Sequence, residues 1–570
     1  MIANILGRIL IAIGFLFISE ALVVGQEQQR EYRTKPVVGL VDEVEELFPD
    51  TKLAQPVKRL SVHTARNTVA GASVMVTGLE GTETIRFLES GENGKPTPGV
   101  RWYRMIDVPV AENTGLDRNT EKYSGKTNPY VIRRAPFRIY DPFRPVTSPI
   151  KADSTSLALR LEIPIDSTMP SGEYTHRLRI EIGDQVEDLE FVVIVHRAKV
   201  PPVSRSTISY INWLNPDNIC TAHGVQKWSE PFWDMLSKYA RLMARGRQNA
   251  FWFLWTDYFQ IDSAGNVTEF RRDRLERYIR VFLGAGLRTI HGAPMFGRRN
   301  WTGSLDMLLY VPTAYGQEVH ATSDKAKRML TQMASRIIAV MTENGWEKQW
   351  VQGVFDEPED PYVDRYRMLI SLLRGLKPDI QILEATMTMN VTGLVNIWCP
   401  QVQEYQAHRD FFDARKAAGD KVWVYTCLSP GGPWLNRLLD QERLRQVYIG
   451  WALAKYDVQG FLHWGLNFHT PRPFEELVRF HMEGQFLPAG DSHIVYPVQD
   501  GPLSSHRFEA HRIGMEDCEL LAQVKRRDPG EAGKIIDRVL QGFDKYSKDV
   551  AAYRTARRLL LEAVDKYSVE

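Results

Sequence analysis

Two adjacent carboxylates, Asp356 and Glu357, are the residues of this chain whose types and spacing most clearly suit chemistry. They follow a short apolar run, Trp350 to Phe355, whose β-branched and aromatic residues predict a strand. Pro358 should end that strand, because proline cannot donate to a β-ladder. Acids at the carboxyl end of a strand lie where α/β barrels hold catalytic groups. Acids are also favourable in the first turn of a helix, so the pair alone leaves catalysis and capping both open.

The pattern that follows residue 206 alternates strands with helices, an arrangement that would bring strand ends together. Eight strands are predicted, at residues 207–214, 250–255, 288–294, 349–355, 380–386, 395–399, 421–427 and 459–464. Helical periodicity lies between most of them, and Ser323 is predicted to cap one helix. Eight such units predict a (β/α)8 TIM barrel over residues 206–525. A doubly wound open sheet is the alternative, although no glycine-rich phosphate turn follows the first strand.

The ends of these predicted strands would converge on one mouth of the barrel, which is aromatic and polar. Its predicted members are Asn212, Trp213, Trp255, Asp257, Tyr258, Met295, Phe296, Asp356, Glu357, Glu384, Trp398, Tyr425, Trp464 and Asn467. All but Trp102 of the 14 tryptophans lie between residues 213 and 464. An aromatic face with an indole N–H suits the C–H faces and hydroxyl rims of sugars. The mouth therefore predicts carbohydrate binding. Core packing is the ordinary role of any single tryptophan, but it is less favoured for Trp255, Trp398 and Trp464, which fall at predicted strand ends.

An aromatic mouth with paired carboxylates indicates glycoside hydrolysis. The usual scheme places two carboxyls about 5 Å or more apart across the sugar, whereas neighbours on a regular strand point to opposite faces. A bend before Pro358 would turn both inward. Adjacent acids fit substrate-assisted hydrolysis better, in which the carbonyl of the sugar's own 2-acetamido group is the nucleophile. Glu357 would then be the general acid and base, and Asp356 would orient the acetamido group.

Eight further side chains at the mouth are predicted to bind substrate. They are Asn212, Trp255, Tyr258, Glu384, Trp398, Tyr425, Trp464 and Asn467. Glu384 has two possible roles, either to orient a sugar hydroxyl or to act as the distant second carboxylate of a conventional mechanism.

The first 200 residues predict a different architecture. Arg8 and an apolar stretch from Ile9 to Ile18 indicate a signal peptide over residues 1–25, cleaved near Gly25. A secreted or periplasmic protein is therefore expected, with a membrane anchor as the less favoured interpretation. Residues 26–57 are poorly specified. Alternating strands with turn signals predict an all-β sandwich over residues 58–200, and two charged amphipathic helices are predicted to form a small C-terminal appendage over residues 526–570.

Composition narrows the possible partners and cofactors. A formal net charge of +1 gives no field that would favour nucleic acid or an anionic membrane. The four cysteines, Cys220, Cys399, Cys427 and Cys518, are far apart and predict buried thiols rather than a disulfide framework. The chain contains no HExxH, P-loop or GxGxxG motif, so neither a metal nor a nucleotide cofactor is expected. The expected partner is a glycan or glycoconjugate, and the oligomeric state is left open.

Three stretches, taken in order, resemble one protein family. They are Phe355–Pro358 (FDEP), Gly460–Asn467 (GFLHWGLN), and Ile494–Pro502 followed by Arg507–Asp517. Together they resemble glycoside hydrolase family 123 and its wider relatives with a domain of unknown function numbered 4091, over residues 200 to 525. The resemblance implies a (β/α)8 barrel behind a sandwich, and retaining β-N-acetylgalactosaminidase activity on glycans or glycolipids. It also implies that Asp356 and Glu357 hold the roles given above.

The chain departs from the family pattern at two positions, where His463 and Cys518 stand in place of an aromatic residue. The histidine would reshape the floor of the pocket, whereas the cysteine concerns packing. Five charged residues belong to the last motif and are expected to form a structural network that ties its helix to the barrel. They are Arg507, Glu509, Arg512, Glu516 and Asp517.

The leading hypothesis is an exported glycoside hydrolase that cleaves a β-linked N-acetylhexosamine, in the first place N-acetylgalactosamine, with retention and without a metal. One alternative is a glycosidase on a sugar that lacks the acetamido group, with two conventional carboxylates. Another is a carbohydrate-binding protein whose barrel has lost catalysis.

Overall fold

The computed structural model describes residues 35–90, 99–300, 305–482 and 485–567. The predicted signal peptide lies outside these residues. Within them, no helix is both long and apolar enough to cross a membrane.

The N-terminal region is a sandwich of two five-stranded sheets, with the orders β1-β3-β8-β5-β6 and β2-β10-β9-β4-β7. Its strands are β1 (Val37–Asp42), β2 (Arg59–Arg66), β3 (Thr68–Thr77), β4 (Thr84–Ser90), β5 (Arg101–Val110), β6 (Phe137–Pro145), β7 (Ile150–Lys151), β8 (Ser156–Ile165), β9 (Gly172–Ile182) and β10 (Gln185–Lys199). Alternate apolar residues of the two sheets meet in one core. All pairings are antiparallel except that of β10 with β2.

The sandwich includes residues that the sequence analysis placed before it. β1 falls within the poorly specified segment 26–57, and it pairs with β3 so that Val37 lies opposite Thr77. Val38 and Leu40 of this strand are buried. The strand has only six residues and leads directly into an acidic stretch, which weakens its alternating pattern in the sequence.

The second region, which follows the sandwich, contains eight parallel strands and several short antiparallel hairpins. They are β11 (Ser209–Asn212), β12 (Ala250–Phe253), β13 (Phe259–Ile261), β14 (Val267–Phe270), β15 (Thr289–Gly292), β16 (Phe296–Arg298), β17 (Met307–Leu309), β18 (Trp350–Gln352), β19 (Leu383–Ala385), β20 (Ile397–Cys399), β21 (Lys421–Tyr425), β22 (Gly460–His463), β23 (Arg479–Met482), β24 (Gln485–Leu487), β25 (Tyr496–Val498) and β26 (Gly501–Leu503). Each of the eight predicted parallel strands is present, within the predicted limits.

The eight parallel strands form two curved sheets, β11-β22-β21-β20-β19 and β12-β15-β18. Isolated hydrogen bonds span the two gaps between these sheets. Asn249 N donates to Tyr210 O (3.2 Å) at one gap, and Gln352 N donates to Gln381 O (2.8 Å) at the other. The Gln248 side chain adds a bond at the first gap, because its Oε1 accepts from Asn212 N (2.9 Å). One apolar cluster, distinct from the one beneath the helices, fills the inner face of both sheets.

The helices pack outside the parallel sheets or join the two regions. They are α1 (Glu121–Ser124), α2 (Pro216–His223), α3 (Glu230–Arg245), α4 (Arg272–Gly284), α5 (Asp324–Glu343), α6 (Val363–Leu376), α7 (Val402–Ala407), α8 (Arg409–Ala417), α9 (Arg443–Tyr456), α10 (His506–Lys525), α11 (Pro529–Asp537) and α12 (Val550–Tyr567). The predicted cap at Ser323 is confirmed, because its side chain accepts from Ala326 N.

α10 is buried along most of its length although it carries many charges. It crosses α9 so closely that a Cβ added at Gly450 would lie 1.9 Å from Gly514 O. Arg507 binds Asp141 of β6 (2.8 Å), and Arg512 binds Glu509 (2.6 Å) and Glu516 (2.7 Å). The predicted structural network is therefore confirmed. It ties α10 to the sandwich as well as to α3 of the parallel-strand region, whose Arg245 binds Glu509 and also Glu162 of β8.

The C-terminal helices do more than form an appendage. Arg557 of α12 donates to Asp517 of α10 (2.9 Å), and the Tyr553 hydroxyl donates to the same carboxylate (2.8 Å). Arg554 of α12 forms an ion pair with Asp42 of β1 (2.6 Å). α12 therefore joins the first strand of the sandwich to the last helix of the parallel-strand region.

The four cysteines are free thiols, of which three are buried and Cys220 is half-buried. Cys518 lies in the core beneath α10, in keeping with the packing role expected for it. His463 is fully buried, and its Nδ1 accepts from Gly465 N (3.1 Å), so it shapes the turn after β22 and does not line the cavities described below.

Candidate active site

The segment that follows β18 is held from both sides before it reaches the two acids. On one side, Met295 N and Phe296 N both donate to Val354 O (3.2 and 3.0 Å). On the other side, Glu384 Oε2 accepts from Val354 N (3.1 Å) and Phe355 N (3.0 Å). These four bonds fix an extended segment whose only described β-bridge is the isolated one between Phe355 and Phe296, and they set the position of the acids.

Glu357 has a backbone conformation that few residues with a side chain adopt, with φ at +56°. This left-handed turn, directly before Pro358, breaks the alternation that would send neighbouring side chains to opposite faces. Asp356 and Glu357 consequently line the same cavity. The predicted bend therefore exists, and its strained backbone lies at the residues that could do chemistry.

Two cavities meet at Asp356 and Trp213. The first, here called the aromatic cavity, has a volume of about 300 Å³. It is lined by Trp213, Trp252, Leu254, Trp255, Thr256, Ala293, Pro294, Met295, Leu309, Tyr310, Val311, Met333 and Asp356. The second, here called the Glu357 cavity, has a volume of about 560 Å³. Its lining includes Asp117, Arg118, Trp213, Arg298, Asp356, Glu357, Glu359, Met387, Glu404, Tyr425, Cys427, Trp464, His481 and Gln485.

The aromatic cavity contains hydrogen-bond donors that the protein itself does not satisfy. Trp213 Nε1 and Trp255 Nε1 are buried and have no partner among the residues that the structure describes. Trp252, by contrast, donates its indole N–H to Leu214 O (2.6 Å) and stacks on Trp213 with ring centroids 4.3 Å apart. Because buried donors are nearly always paired, these two indole N–H groups suit the oxygen atoms of a ligand.

Burial changes the proton affinity of both acids. It raises the pKa of Asp356 to about 7, with a further contribution from the neighbouring charge of Glu357. Burial also raises the pKa of Glu357, whereas a hydrogen bond from the Tyr425 hydroxyl opposes that rise. Like charges so close together disfavour double ionisation. The pair therefore keeps one proton near neutral pH, as a general acid beside an ionised carboxylate requires.

Arg298 of β16 fixes the turn from the other side of the pair. Its guanidinium donates to Glu357 O and to Glu359 Oε1 (2.7 Å), and it lies against the Phe355 and Tyr362 rings. Its charge also lowers the pKa of both acids, after the larger effects of burial and neighbouring groups. Sequence analysis missed Arg298, because it lies in a hairpin after the third parallel strand and not at a strand end.

Comparison with known proteins assigns the chain to a family. The family model of the glycoside hydrolase 123 catalytic domain matches residues 213–524, more than half of the chain. The chain belongs to glycoside hydrolase family 123. No curated protein matches it.

One solved structure shares the architecture at low sequence identity, and two others align weakly. A family 123 glycoside hydrolase from Clostridium perfringens, whose study concerns glycolipid glycan hydrolysis, aligns with a TM-score of 0.71 at 12% identity, over 94% of this chain and 97% of that one. An endo-β-1,4-mannanase from Thermotoga petrophila aligns with a TM-score of 0.36 at 9% identity, over 55% and 77% of the two chains. A GH10 xylanase from Thermobacillus composti gives 0.32 at 12%, over 54% and 97%. Only the first alignment is close enough to relate the whole architecture.

In this family 123 chain, five of the ten predicted site residues line the two cavities. They are Trp255, Asp356, Glu357, Tyr425 and Trp464. Tyr425 donates to Glu357, and Trp464 donates to the buried carboxylate of Asp491 (3.1 Å), which holds its ring at the cavity edge.

Two predicted aromatic residues point away from the cavities. Trp398 lies outside the sheet, where its indole donates to Asp420 (2.8 Å) beneath α8, because alternation along β20 turns Ile397 and Cys399 inward instead. Tyr258 is packed in the core against the Trp228 and Tyr278 rings. The prediction for both was wrong in side-chain direction.

Two asparagines that were predicted to bind substrate form hydrogen bonds with other protein groups and do not line the cavities. The Asn212 amide accepts from Arg437 Nη1 (2.6 Å) and donates to the Tyr210 hydroxyl (2.9 Å). The Asn467 amide bonds to the backbone of Asn215, both as acceptor (2.7 Å) and as donor (3.0 Å). Both therefore stabilise the turns beneath the mouth.

Glu384 is the predicted substrate residue whose role changes most. It is buried, it lines neither cavity, and one carboxylate oxygen accepts from Val354 N, Phe355 N and the Tyr366 hydroxyl (2.9 Å). Burial raises its pKa well above the usual range. Glu384 is thus a positioning residue for the segment that carries the acids.

Replacement of Glu384 separates this positioning role from catalysis. Glutamine keeps an acceptor oxygen at the same place, so we expect Glu384→Gln to retain kcat/KM within about tenfold. Alanine leaves three buried donors unpaired, and we expect Glu384→Ala to lower the free energy of unfolding by about 2–5 kcal/mol. Urea denaturation and initial rates measure both effects. A loss of activity in a stably folded Glu384→Gln variant as large as in a Glu357→Gln variant would show instead that Glu384 is a catalytic carboxylate.

Sequence analysis missed several cavity residues for identifiable reasons. Trp252 was detectable, because alternation along β12 places it on the same inner face as Ala250. Tyr310, His481 and Arg118 had no such signal, because they come from loops, from a hairpin and from the sandwich.

Proposed function

We propose that this chain is a retaining glycoside hydrolase that removes a β-linked N-acetylhexosamine, in the first place N-acetylgalactosamine, from a glycan or glycolipid. One observation carries the proposal. Asp356 and Glu357 are adjacent and line one cavity through a left-handed turn, where burial raises the pKa of both. Family membership and the glycolipid glycans named for the Clostridium perfringens structure support the substrate class.

The aromatic cavity suits the terminal sugar with its acetamido group. Asp356 lines both cavities whereas Glu357 lines only the second, so the acetamido side of the substrate belongs with Asp356. The ionised Asp356 would accept the acetamido N–H. The indole N–H groups of Trp213 and Trp255 would donate to substrate oxygens, and the apolar walls would contact the methyl group.

The reaction then follows in two balanced steps. Glu357 gives its proton to the glycosidic oxygen while the bond from C1 to that oxygen breaks, and the acetamido carbonyl oxygen bonds to C1 to form an oxazolinium. The negative charge of Asp356 stabilises the positive charge on the amide. Water next attacks C1 while Glu357 takes a proton from that water. The bond from C1 to the acetamido oxygen breaks, the oxazolinium ring opens, and the free sugar keeps its original configuration at C1.

The leaving group belongs in the Glu357 cavity. Glu357 must lie at the glycosidic oxygen, and the cavity of about 560 Å³ on its side extends to the sandwich and to the β23–β24 hairpin. This space suits a saccharide rather than a small alcohol. The conventional scheme with Glu384 as second carboxylate finds no support, because that group is bonded to the backbone.

We also infer that the two parallel sheets close into a (β/α)8 barrel. The bonds across both gaps, Asn249 N to Tyr210 O and Gln352 N to Gln381 O, support closure. So does the shared inner cluster of apolar side chains.

We also propose that the protein is exported, on the basis of the predicted signal peptide at residues 1–25. Fractionation of cells of the source organism and N-terminal sequencing of the mature protein test it.

Release of 4-nitrophenol from three glycosides tests the proposed reaction. We expect turnover of the β-N-acetylgalactosaminide or the β-N-acetylglucosaminide, with kcat/KM at least about 10²-fold above that for the plain β-galactoside, because only the acetamido sugars carry the intramolecular nucleophile. Faster turnover of the plain galactoside would overturn the substrate-assisted mechanism. Binding of the acetamido sugars without turnover would favour the non-catalytic alternative.

A further inference from the structure

Part of the lining of the Glu357 cavity comes from the sandwich and not from the parallel-strand region. Residues 111–136, here called the sandwich insertion, connect β5 to β6 and include α1. Within the insertion, Asp117 and Arg118 line the same cavity as Asp356 and Glu357. A domain that is otherwise remote from the acids thus contributes a guanidinium to their surroundings.

The insertion is fixed to the parallel-strand region through buried polar contacts. The Asp440 carboxylate accepts from Thr114 N (2.7 Å), the Thr114 hydroxyl (2.8 Å) and Asn113 Nδ2 (3.2 Å), and Asp440 O accepts from Ile132 N (3.0 Å). The backbones also approach closely, since a Cβ added at Gly431 would lie 2.3 Å from Gly115 O. A buried carboxylate with this many bonds holds the insertion in one place.

A second anchor joins the insertion to the β23–β24 hairpin. The Tyr123 ring stacks on Phe486, with centroids 3.5 Å apart and planes within 8°. Phe486 N also donates to Asn119 Oδ1 (3.3 Å). The hairpin contributes His481 and Gln485 to the cavity, so the insertion and the hairpin, which are in contact, line the same cavity as Glu357.

Arg118 is the cation that the insertion contributes to this cavity. Its charge is close enough to Glu357 to lower the pKa of that acid slightly. The other arginine of the cavity, Arg298, is bonded to Glu359 and to the backbone at Glu357. The carboxylate next to Arg118, Asp117, accepts from Asn119 N (2.9 Å). An arginine offers five N–H donors in a planar fork, which suits paired oxygens on a sugar.

We propose that the sandwich insertion recognises the saccharide that leaves, and that Arg118 is a specificity-determining residue that binds the oxygens of that saccharide. This proposal rests on the proposed function, which assigns the Glu357 side to the leaving group. The substrate class is therefore an N-acetylhexosamine joined to a further sugar, not to a small or purely apolar aglycone. The oxygens belong either to neighbouring hydroxyls or to an acidic substituent, a carboxylate or a sulfate ester.

Kinetics with matched leaving groups test the proposal. We compare Arg118→Ala with the wild type on a 4-nitrophenyl β-N-acetylgalactosaminide, on a neutral disaccharide with the same terminal sugar, and on disaccharides whose second sugar carries a carboxylate or a sulfate. We expect kcat/KM to fall about tenfold or more on at least one disaccharide, the size of a lost charged hydrogen bond, and to stay within about twofold on the nitrophenyl glycoside. Lys122→Ala, an exposed cation in the same insertion outside the cavity, is the control and should change none of them.

The outcomes separate this proposal from the reaction itself. A loss confined to the acidic disaccharides identifies the acidic substituent, and an equal loss on the neutral one identifies hydroxyls. Unchanged kinetics on all disaccharides, or an equal loss on the nitrophenyl glycoside, overturns the role of Arg118. If the wild type turns over no acetamido glycoside at all, the proposed function fails instead.

Discussion

Replacement of Glu357 by glutamine is expected to lower kcat/KM for a disaccharide substrate by about 10²–10⁴-fold, the range for loss of a general acid and base. Glutamine keeps the shape of the side chain and an acceptor for the Tyr425 hydroxyl, so the fold should persist. The loss should be smaller on a nitrophenyl glycoside in the step that breaks the glycosidic bond, because nitrophenolate leaves without a proton. Initial rates on both substrates measure this difference.

A matched control is Glu359→Gln, two residues further along the chain. Glu359 is exposed and binds Arg298 at the edge of the same cavity. We expect this variant to retain activity within a few-fold. A Glu357→Gln variant with the same modest loss on the disaccharide would contradict the assignment of the acid.

The dependence of kcat/KM on pH is a second test of the assignment of Glu357 as the general acid. A general acid is active only while protonated, and burial raises the pKa of Glu357 above its usual range. Wild-type kcat/KM should therefore fall as the pH rises through that raised pKa. In the Glu357→Gln variant this alkaline fall should disappear from the residual activity, because the titrating acid is gone.

Replacement of Asp356 by asparagine is expected to cost about 10²–10³-fold in kcat on an acetamido sugar, the size of a lost electrostatic partner at a developing charge. The amide cannot balance the positive charge that grows on the acetamido nitrogen. Inhibition by a thiazoline analogue, which resembles the cyclised intermediate, should weaken in parallel. Asp360→Asn is the control, because Asp360 is exposed and bonded to Thr388 and Asn390 outside the cavity.

A different result would separate the possible mechanisms. If the wild type cleaves acetamido sugars yet is not inhibited by the thiazoline, the neighbouring-group step is excluded. If Asp356→Asn keeps full thiazoline affinity and loses only turnover, Asp356 acts on the reacting atoms in another way.

The parallel-strand architecture was accessible from sequence because its signals are local. Each strand is a short apolar run between helices with regular periodicity, and the acids follow one such run directly. The limits of the strands were less accessible. The fourth was predicted to reach Phe355 but its ladder ends at Gln352. Beyond that point the Glu384 carboxylate accepts from Val354 N and Phe355 N, and Val354 O accepts from two backbone N–H groups of the neighbouring segment.

Side-chain direction was the main error at the site. Trp398 is the middle residue of β20, where a shift of one residue in alternation moves a side chain from the inner face to the outer one. Tyr258 lies in a 3-10 turn after β12, where strand alternation no longer applies. Pro358 predicted the bend at Glu357, but the sequence did not predict the bond from Arg298 to Glu357 O, because Arg298 comes from a separate hairpin. Arg118 was the hardest cavity residue to predict from the sequence, because it approaches the two acids only through the packing of the sandwich against the parallel-strand region.

The ion pair between Asp42 and Arg554 affects when the sandwich becomes fully stable during synthesis of the chain. The two residues are separated by 512 positions, and the first strand leaves the ribosome long before the last helix exists. Until that helix arrives, Asp42 and Glu43 remain without the guanidinium that both of them bind, and an unpaired acid is costly to bury. The sandwich, although it is made first, therefore gains this contribution to its stability only after α12 has been synthesised.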